Sequence, residues 1–187
     1  MSIGRRELRD RQVETVERLL TAGAEELVEV GHDALTIRSV AARAGVSPAT
    51  AYTYLASKNH LFAELFLRRL LDEPESDASA ADPVERVQAL THAMASMLAS
   101  GPALAAAVTP ALLGSDPDVA RLRLRIGAEF VRRFGVAVGK PADDVLIEAL
   151  NLAFAGAMLQ AGMGVMSYDE MGTRLDGVVA TIMKGHG

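Results

Sequence analysis

The sequence predicts an all-α protein: a compact N-terminal helix-turn-helix followed by a longer second helical region, with about nine helices in total. Three observations carry this. Apolar residues recur at three- and four-residue intervals along nearly the whole chain, and no stretch alternates convincingly as a strand. Residues 35–62 (LTIRSVAARAGVSPATAYTYLASKNHLF) contain three helix-opening signals in close succession, Thr36, Ser47 and Ser57. Half of the 187 residues are apolar, but only Phe 5 and Tyr 3 are aromatic and Trp is absent, so the core must be built from Ala, Leu, Val and Met.

The elements follow in order. Val13, Val16, Leu20, Ala24 and Leu27 form a stripe that predicts a first helix over about residues 10–30, ending near Gly31. A second helix is expected over 37–43, capped by Thr36. A third starts at Pro48, in the first helical position where a missing N–H costs nothing, and is capped by Ser47. Gly45 lies between them, where a sharp turn calls for positive φ. Ser57 opens a fourth helix over 58–71, with Leu61, Phe62, Leu65 and Phe66 facing inward. Residues 72–82 (DEPESDASAAD) are acidic and without apolar period, and read as a linker. The remaining helices are expected over 83–100, 103–113, from Ser115 or Asp116 to Val138, 143–164 and 168–184. The breaks fall at Gly101-Pro102 and at Gly139-Lys140-Pro141. The domain division expected is 1–57 and 58–187.

Composition bounds the partners. With no Cys there are no disulfides or thiolate metal sites, as suits a cytoplasmic protein. No signal peptide is visible, and the uncharged run 149–166 holds Asn151, Gln160 and three glycines, so it reads as a buried helix and not a membrane span. The net charge is −5, but residues 1–70 carry ten Lys/Arg against nine Asp/Glu, whereas residues 71–187 carry nine against fifteen. The acidity belongs to the second region, and nucleic-acid binding depends on the local patch.

The segment 35–62 resembles the DNA-binding domain of the TetR (tetracycline-repressor-like) family of bacterial transcriptional regulators. The likeness rests on Gly31 ending the first helix, on Thr36, Val40 and Ala41, on Ala44-Gly45-Val46-Ser47, on Tyr52 and Tyr54, and on Ser57-Lys58 followed by Leu61 and Phe62. It covers roughly residues 10–70. Beyond them only the family's general plan applies, a helical regulatory and dimerisation region. The resemblance implies a repressor that occupies a palindromic operator as a homodimer and responds to a small-molecule effector, without cofactor or metal.

The expected DNA-binding set is Thr36, Arg38, Ser47, Pro48, Ala49, Thr50, Tyr52, Thr53, Tyr54 and Lys58. Hydroxyls of Thr and Tyr and the Lys58 ammonium can hold phosphate, which positions the helix without reading bases. The third helix contains no Arg, Lys, Asn or Gln, the side chains that make bidentate base contacts. Reading then falls to Arg38, to Thr53, and to apolar contact of Pro48 or Ala49 with thymine methyls. Tyr54 either flanks the groove or closes the small core. Arg5, Arg6, Arg9 and Arg11 offer a basic arm, although interleaved Glu7 and Asp10 suit ordinary surface pairing equally.

In the second region Ala149, Ala153, Ala157 and Ala161 recur every four residues beside Leu146 and Leu150, a stripe expected to pack against a second subunit. A ligand pocket is expected from His92, Met94, Met97, Leu98, Leu112, Phe130, Asn151, Phe154 and Gln160, for a largely apolar and uncharged molecule. Catalysis is not expected. His32, His60, His92 and His186 lack metal-ligand spacing, and Gly135 to Lys140 has one residue too few between its glycines for a phosphate loop. A helix-turn-helix binder without small-molecule control stays open as the alternative.

Overall fold

The computed structural model describes residues 3–75, 82–139 and 143–185, with side chains from Asp10 onward. The described residues form nine helices and no strand: α1 (Ile3–Ala34), α2 (Ile37–Arg43), α3 (Pro48–Tyr54), α4 (Lys58–Asp72), α5 (Pro83–Ala99), α6 (Pro102–Leu113), α7 (Pro117–Val138), α8 (Asp144–Gly162) and α9 (Tyr168–Lys184). Most of the expected linker, 76–81, lies outside the described residues, as do Lys140, Pro141 and His186.

The main departure is α1, which is already helical at Ile3. The basic segment therefore continues the first helix and is not a separate arm; the side chains of Arg5, Arg6 and Arg9 lie outside the described residues. Gly31 adopts φ 76°, a value that a side chain strongly disfavours, and kinks the helix before one last turn. Capping explains why the later boundaries are sharp. Thr36, Ser47, Ser57, Asp82, Asp116, Asp143 and Ser167 each accept a backbone amide of the helix they open. α6, which opens on Gly101, has no side-chain cap hydrogen bond.

Two apolar cores result. The N-terminal one gathers Leu19, Leu20 and Leu27 of α1, Ile37, Val40 and Ala41 of α2, Ala51 of α3, and Leu61 and Phe62 of α4. The second holds Phe66, Leu67 and Leu70 of α4 with the inner faces of α5 and α7–α9. Four of the five phenylalanines meet there: Phe130 lies 6.4 Å from Phe66 and 5.2 Å from Phe154, and Phe134 is 6.0 Å from Phe154. Two helices belong to both cores. In α4, Leu61, Phe62 and Leu65 pack into the N-terminal core and Ala63, Phe66, Leu67 and Leu70 into the second, while α6 sends Ala107 and Ala111 one way and Ala105 and Val108 the other.

Polar contacts fix both ends of α4 to α7. At its start, Ser57 donates to Asp116 Oδ2 at 2.6 Å, which holds the Asp116 carboxyl below the usual carboxylate range, with help from the amides of Asp118 and Val119. At its end, the buried Arg133 guanidinium donates to the carbonyls of Leu70 (2.6 Å), Glu73 (2.8 Å) and Pro74 (3.2 Å), and to Glu129 Oε1 (2.8 Å). The Leu70 carbonyl is among the orphan acceptors that every helix end leaves, and those of Glu73 and Pro74 continue the chain just past it.

Candidate nucleic-acid interface

The turn between α2 and α3 follows from its residues. Gly45, at φ 65°, lets the chain reverse: its amide donates to Ala42 O at 3.2 Å, and the amide of Val46 to Ala41 O at 3.0 Å. This pair of bonds is the Schellman closure of a helix end. Thr36 and Ser39 form a reciprocal capping box at the start of α2. Ser47 Oγ accepts the amide of Thr50 at 3.0 Å and lies 2.8 Å from its hydroxyl. Beneath them Ala51 is fully buried, so α3 sits close on the core with its other side outward.

That outward side consists of Pro48, Ala49, Tyr52 and Thr53, all exposed; Tyr52 keeps half of its surface. Thr53 donates its hydroxyl back to Ala49 O at 3.0 Å, so its oxygen remains as an acceptor. Thr50 is half-buried beside the cap, and Tyr54 packs against the N-terminal core. Thr36 and Ser47, though exposed, serve as helix caps.

The two arginines of α2 differ in a way their spacing did not foretell. Arg43 is held by three glutamates of α1: its Nε donates to Glu26 at 2.8 Å, it bonds Glu29, and it lies 3.8 Å from Glu25. The Glu26 carboxyl is consequently pulled below its ordinary value. Arg38 is exposed and has no hydrogen bond or ion pair to any described residue, so of the two α2 arginines its guanidinium is the available one. Lys58 is less available than expected. Its ammonium donates to the carbonyls of His32 (3.1 Å) and Asp33 (3.3 Å), closing the C-terminus of α1, and one N–H remains for phosphate.

In the second region the structure divides the expected subunit-contact stripe between two sides of α8. Leu146, Leu150 and Ala161 are 6%, 2% and 7% exposed, because this side of α8 packs into the chain's own core. Ala149, Ala153 and Ala157 flank that side and are half-buried. The outward face belongs to Val145, Leu152, Ala155 and Met163, with Leu159 half-buried at its edge. Small residues at four-residue intervals suggested close helix approach, but leucine and phenylalanine one position away are drawn inward more strongly. By length and composition α8 is apolar enough to cross a membrane; its inner side is nevertheless part of the second core, so only the outer side needs a partner.

The expected pocket residues are also redistributed. Met94, Met97, Leu98, Phe130 and Phe154 are tightly buried core, with Leu112 half-buried against it. His92 points outward, contrary to expectation: it pairs with Asp176 at 2.9 Å, because its position on α5 faces the edge of α9. Gln160 is exposed and Asn151 half-buried.

A capped, outward-facing helix set behind a glycine turn, with one uncommitted arginine beside it, defines a helix-turn-helix DNA-binding protein. Residues 19–65 match the bacterial regulatory proteins of the tetR family. The HTH-type transcriptional regulator Rv0767c of Mycobacterium tuberculosis (strain ATCC 25618 / H37Rv) is 44% identical over 178 residues, spanning 94% of this chain and 83% of that protein. The HTH-type transcriptional repressor KstR of Rhodococcus jostii (strain RHA1) is 29% identical over 142 residues, 74% of this chain and 67% of its own. A TetR transcriptional regulator from Rhodococcus sp. RHA1 shares the fold with a TM-score of 0.77 at 22% identity, covering 93% of this chain and 97% of that one. The regulator FadR from Bacillus subtilis, solved with stearoyl-CoA, shares it with a TM-score of 0.66 at 18% identity, covering 89% and 97%. The chain belongs to the TetR family and is a helix-turn-helix transcriptional regulator.

Proposed function

We propose that this chain is a repressor that occupies a palindromic promoter operator as a homodimer and leaves it when a small, largely apolar molecule binds. The observation that carries the reading is the pairing of the exposed α3 face (Pro48, Ala49, Tyr52, Thr53) with the unpartnered Arg38. One seven-residue helix touches too few bases to specify a site, so two copies one helical turn of DNA apart are needed. Val145, Leu152, Ala155 and Met163 on α8 supply an apolar face for the second copy. Repression is supported by the relationship to KstR, and an apolar ligand by the stearoyl-CoA bound to the B. subtilis FadR.

Release follows from the ties on α4. With Asp116 at one end and Arg133 at the other, a shift of α7 moves α4 as a unit, and α3 with it. A ligand drives that shift only by binding the DNA-incompetent state more tightly. The test is fluorescence anisotropy of purified protein on its own upstream DNA at two salt concentrations. Salt-sensitive binding to one palindrome is expected; equal affinity for random DNA would replace the repressor with an architectural binder.

A further inference from the structure

The structure contains a cleft of about 690 Å³ that is separate from the buried second core and lies where the two regions of the chain meet. Its apolar wall comes from Leu27 and Val28 of α1, Leu65 of α4 and Leu104 of α6. Its inner corner is the Ser100-Gly101 turn, where α5 and α6 bend by 104°. Into this corner Arg69 of α4 extends its guanidinium, donating to Ser100 Oγ at 2.7 Å. The guanidinium lies so close over Gly101 that a Cβ there would come within 2.5 Å of Nη1, so a side chain at this position would displace the end of Arg69. Arg69 has no carboxylate partner among the described residues. The first amides of α6, uncapped by any side chain, belong to Ala103 and Leu104 of the same wall.

The other charges at the rim narrow what fits. Arg68 is already neutralised by a two-pronged pair with Glu17, at 2.5 and 2.6 Å. Asp72 and Glu73 stand at the same rim and repel a large polyanion. Among the described residues, Arg69 is a cation without a carboxylate partner at the end of an apolar trough, and with acids around the mouth this matches a single small anionic head on a hydrocarbon tail. The volume falls within the ~300–1,000 Å³ of small-molecule sites and accommodates a chain of about twelve carbons.

We propose that this cleft binds a linear carboxylate amphiphile, its tail along Leu27, Val28, Leu65 and Leu104 and its carboxylate on Arg69, Ser100 and the start of α6. Such a molecule lies between α1 and α6 and wedges them apart. Since α1 and α6 share the N-terminal core, this displaces the helix-turn-helix. The effect on DNA rests on the repressor function proposed above; the binding does not.

The test uses the full chain with Val28→Trp, which places a single tryptophan at the cleft wall, in a position 78% exposed, in a chain that has none. Sodium dodecanoate below its micellar concentration should change the emission saturably, and dodecanol and dodecyltrimethylammonium should bind about tenfold or more weakly. Arg69→Met should weaken dodecanoate binding by about tenfold. Gly101→Ala, which keeps the charge but pushes the guanidinium aside, should weaken it several-fold, and it also covers the case in which Arg69→Met fails to fold. Equal binding of dodecanol, preference for the ammonium, or indifference to both substitutions would overturn the assignment. If ligand-free protein holds its operator but dodecanoate does not bind, the cleft assignment fails and the repressor stands. If dodecanoate binds but no operator is held, the reverse is true.

Discussion

Replacing Leu152 with Glu tests the subunit contact where the structure departs from the sequence pattern. Leu152 is 63% exposed at the middle of the outer face of α8, between Val145 at 64% and Met163 at 61%. Burying a whole leucine is worth about 1.5–3 kcal/mol, so the area still open at Leu152 contributes roughly 1–2 kcal/mol per subunit. A two-fold interface counts the change twice, about 2–4 kcal/mol, and sets two carboxylates near the axis besides. The dimer dissociation constant should therefore rise by about two to three orders of magnitude. Because the position is exposed in the single chain, thermal stability of the monomer should move by no more than about 0.5 kcal/mol. Sedimentation equilibrium across nanomolar to micromolar protein measures the first quantity and calorimetry the second. Leu150→Ala is the contrast: that side chain is 2% exposed, so its loss should destabilise the fold itself by about 2–5 kcal/mol. A Leu152→Glu protein that stays dimeric at the wild-type concentration would refute the placement of the contact on this face.

Three further outcomes are expected. Arg38→Ala should lower operator affinity by about 1–3 kcal/mol and lessen its salt dependence, measured by anisotropy titration, whereas an unchanged titration would make Arg38 a surface residue. Arg133→Met strands three carbonyls at and just beyond the end of α4 and leaves Glu129 to Arg132, a loss of about 3–5 kcal/mol that should lower Tm by roughly 6–20 °C in scanning calorimetry. The carboxyls of Glu129 and Asp116 are held below their usual range, the first chiefly by hydrogen bonds from Arg132 and the second by the Ser57 hydroxyl. Their stabilisation is therefore present above the ordinary carboxylate pKa of about 4 and lost as pH falls through the lowered folded value. Tm should hold near neutrality and fall below about pH 4.5, less steeply in Glu129→Gln, and equal slopes in the two proteins would exclude Glu129.

The helix-turn-helix could be read in the sequence because its determinants are local. Thr36, Ser47 and Ser57 each bond an amide three residues away, Pro48 presets its own φ, and Gly45 alone decides the turn, so α2 and α3 fall where the pattern puts them. The chemistry of the recognition helix was equally legible, since no bidentate base-reading side chain lies in PATAYTY. What remained illegible depends on partners far along the chain. Which α2 arginine is free was decided by glutamates of α1 lying 14 and 17 residues earlier, and the ammonium of Lys58 was claimed by carbonyls freed at the Gly31 kink. On α8 a four-residue period of small side chains and one of large side chains lie a single position apart, and a helix can bury only one side against its own core. Tertiary packing chose the larger apolar set, because more surface leaves water that way, and so handed the outer face to Leu152 and its neighbours.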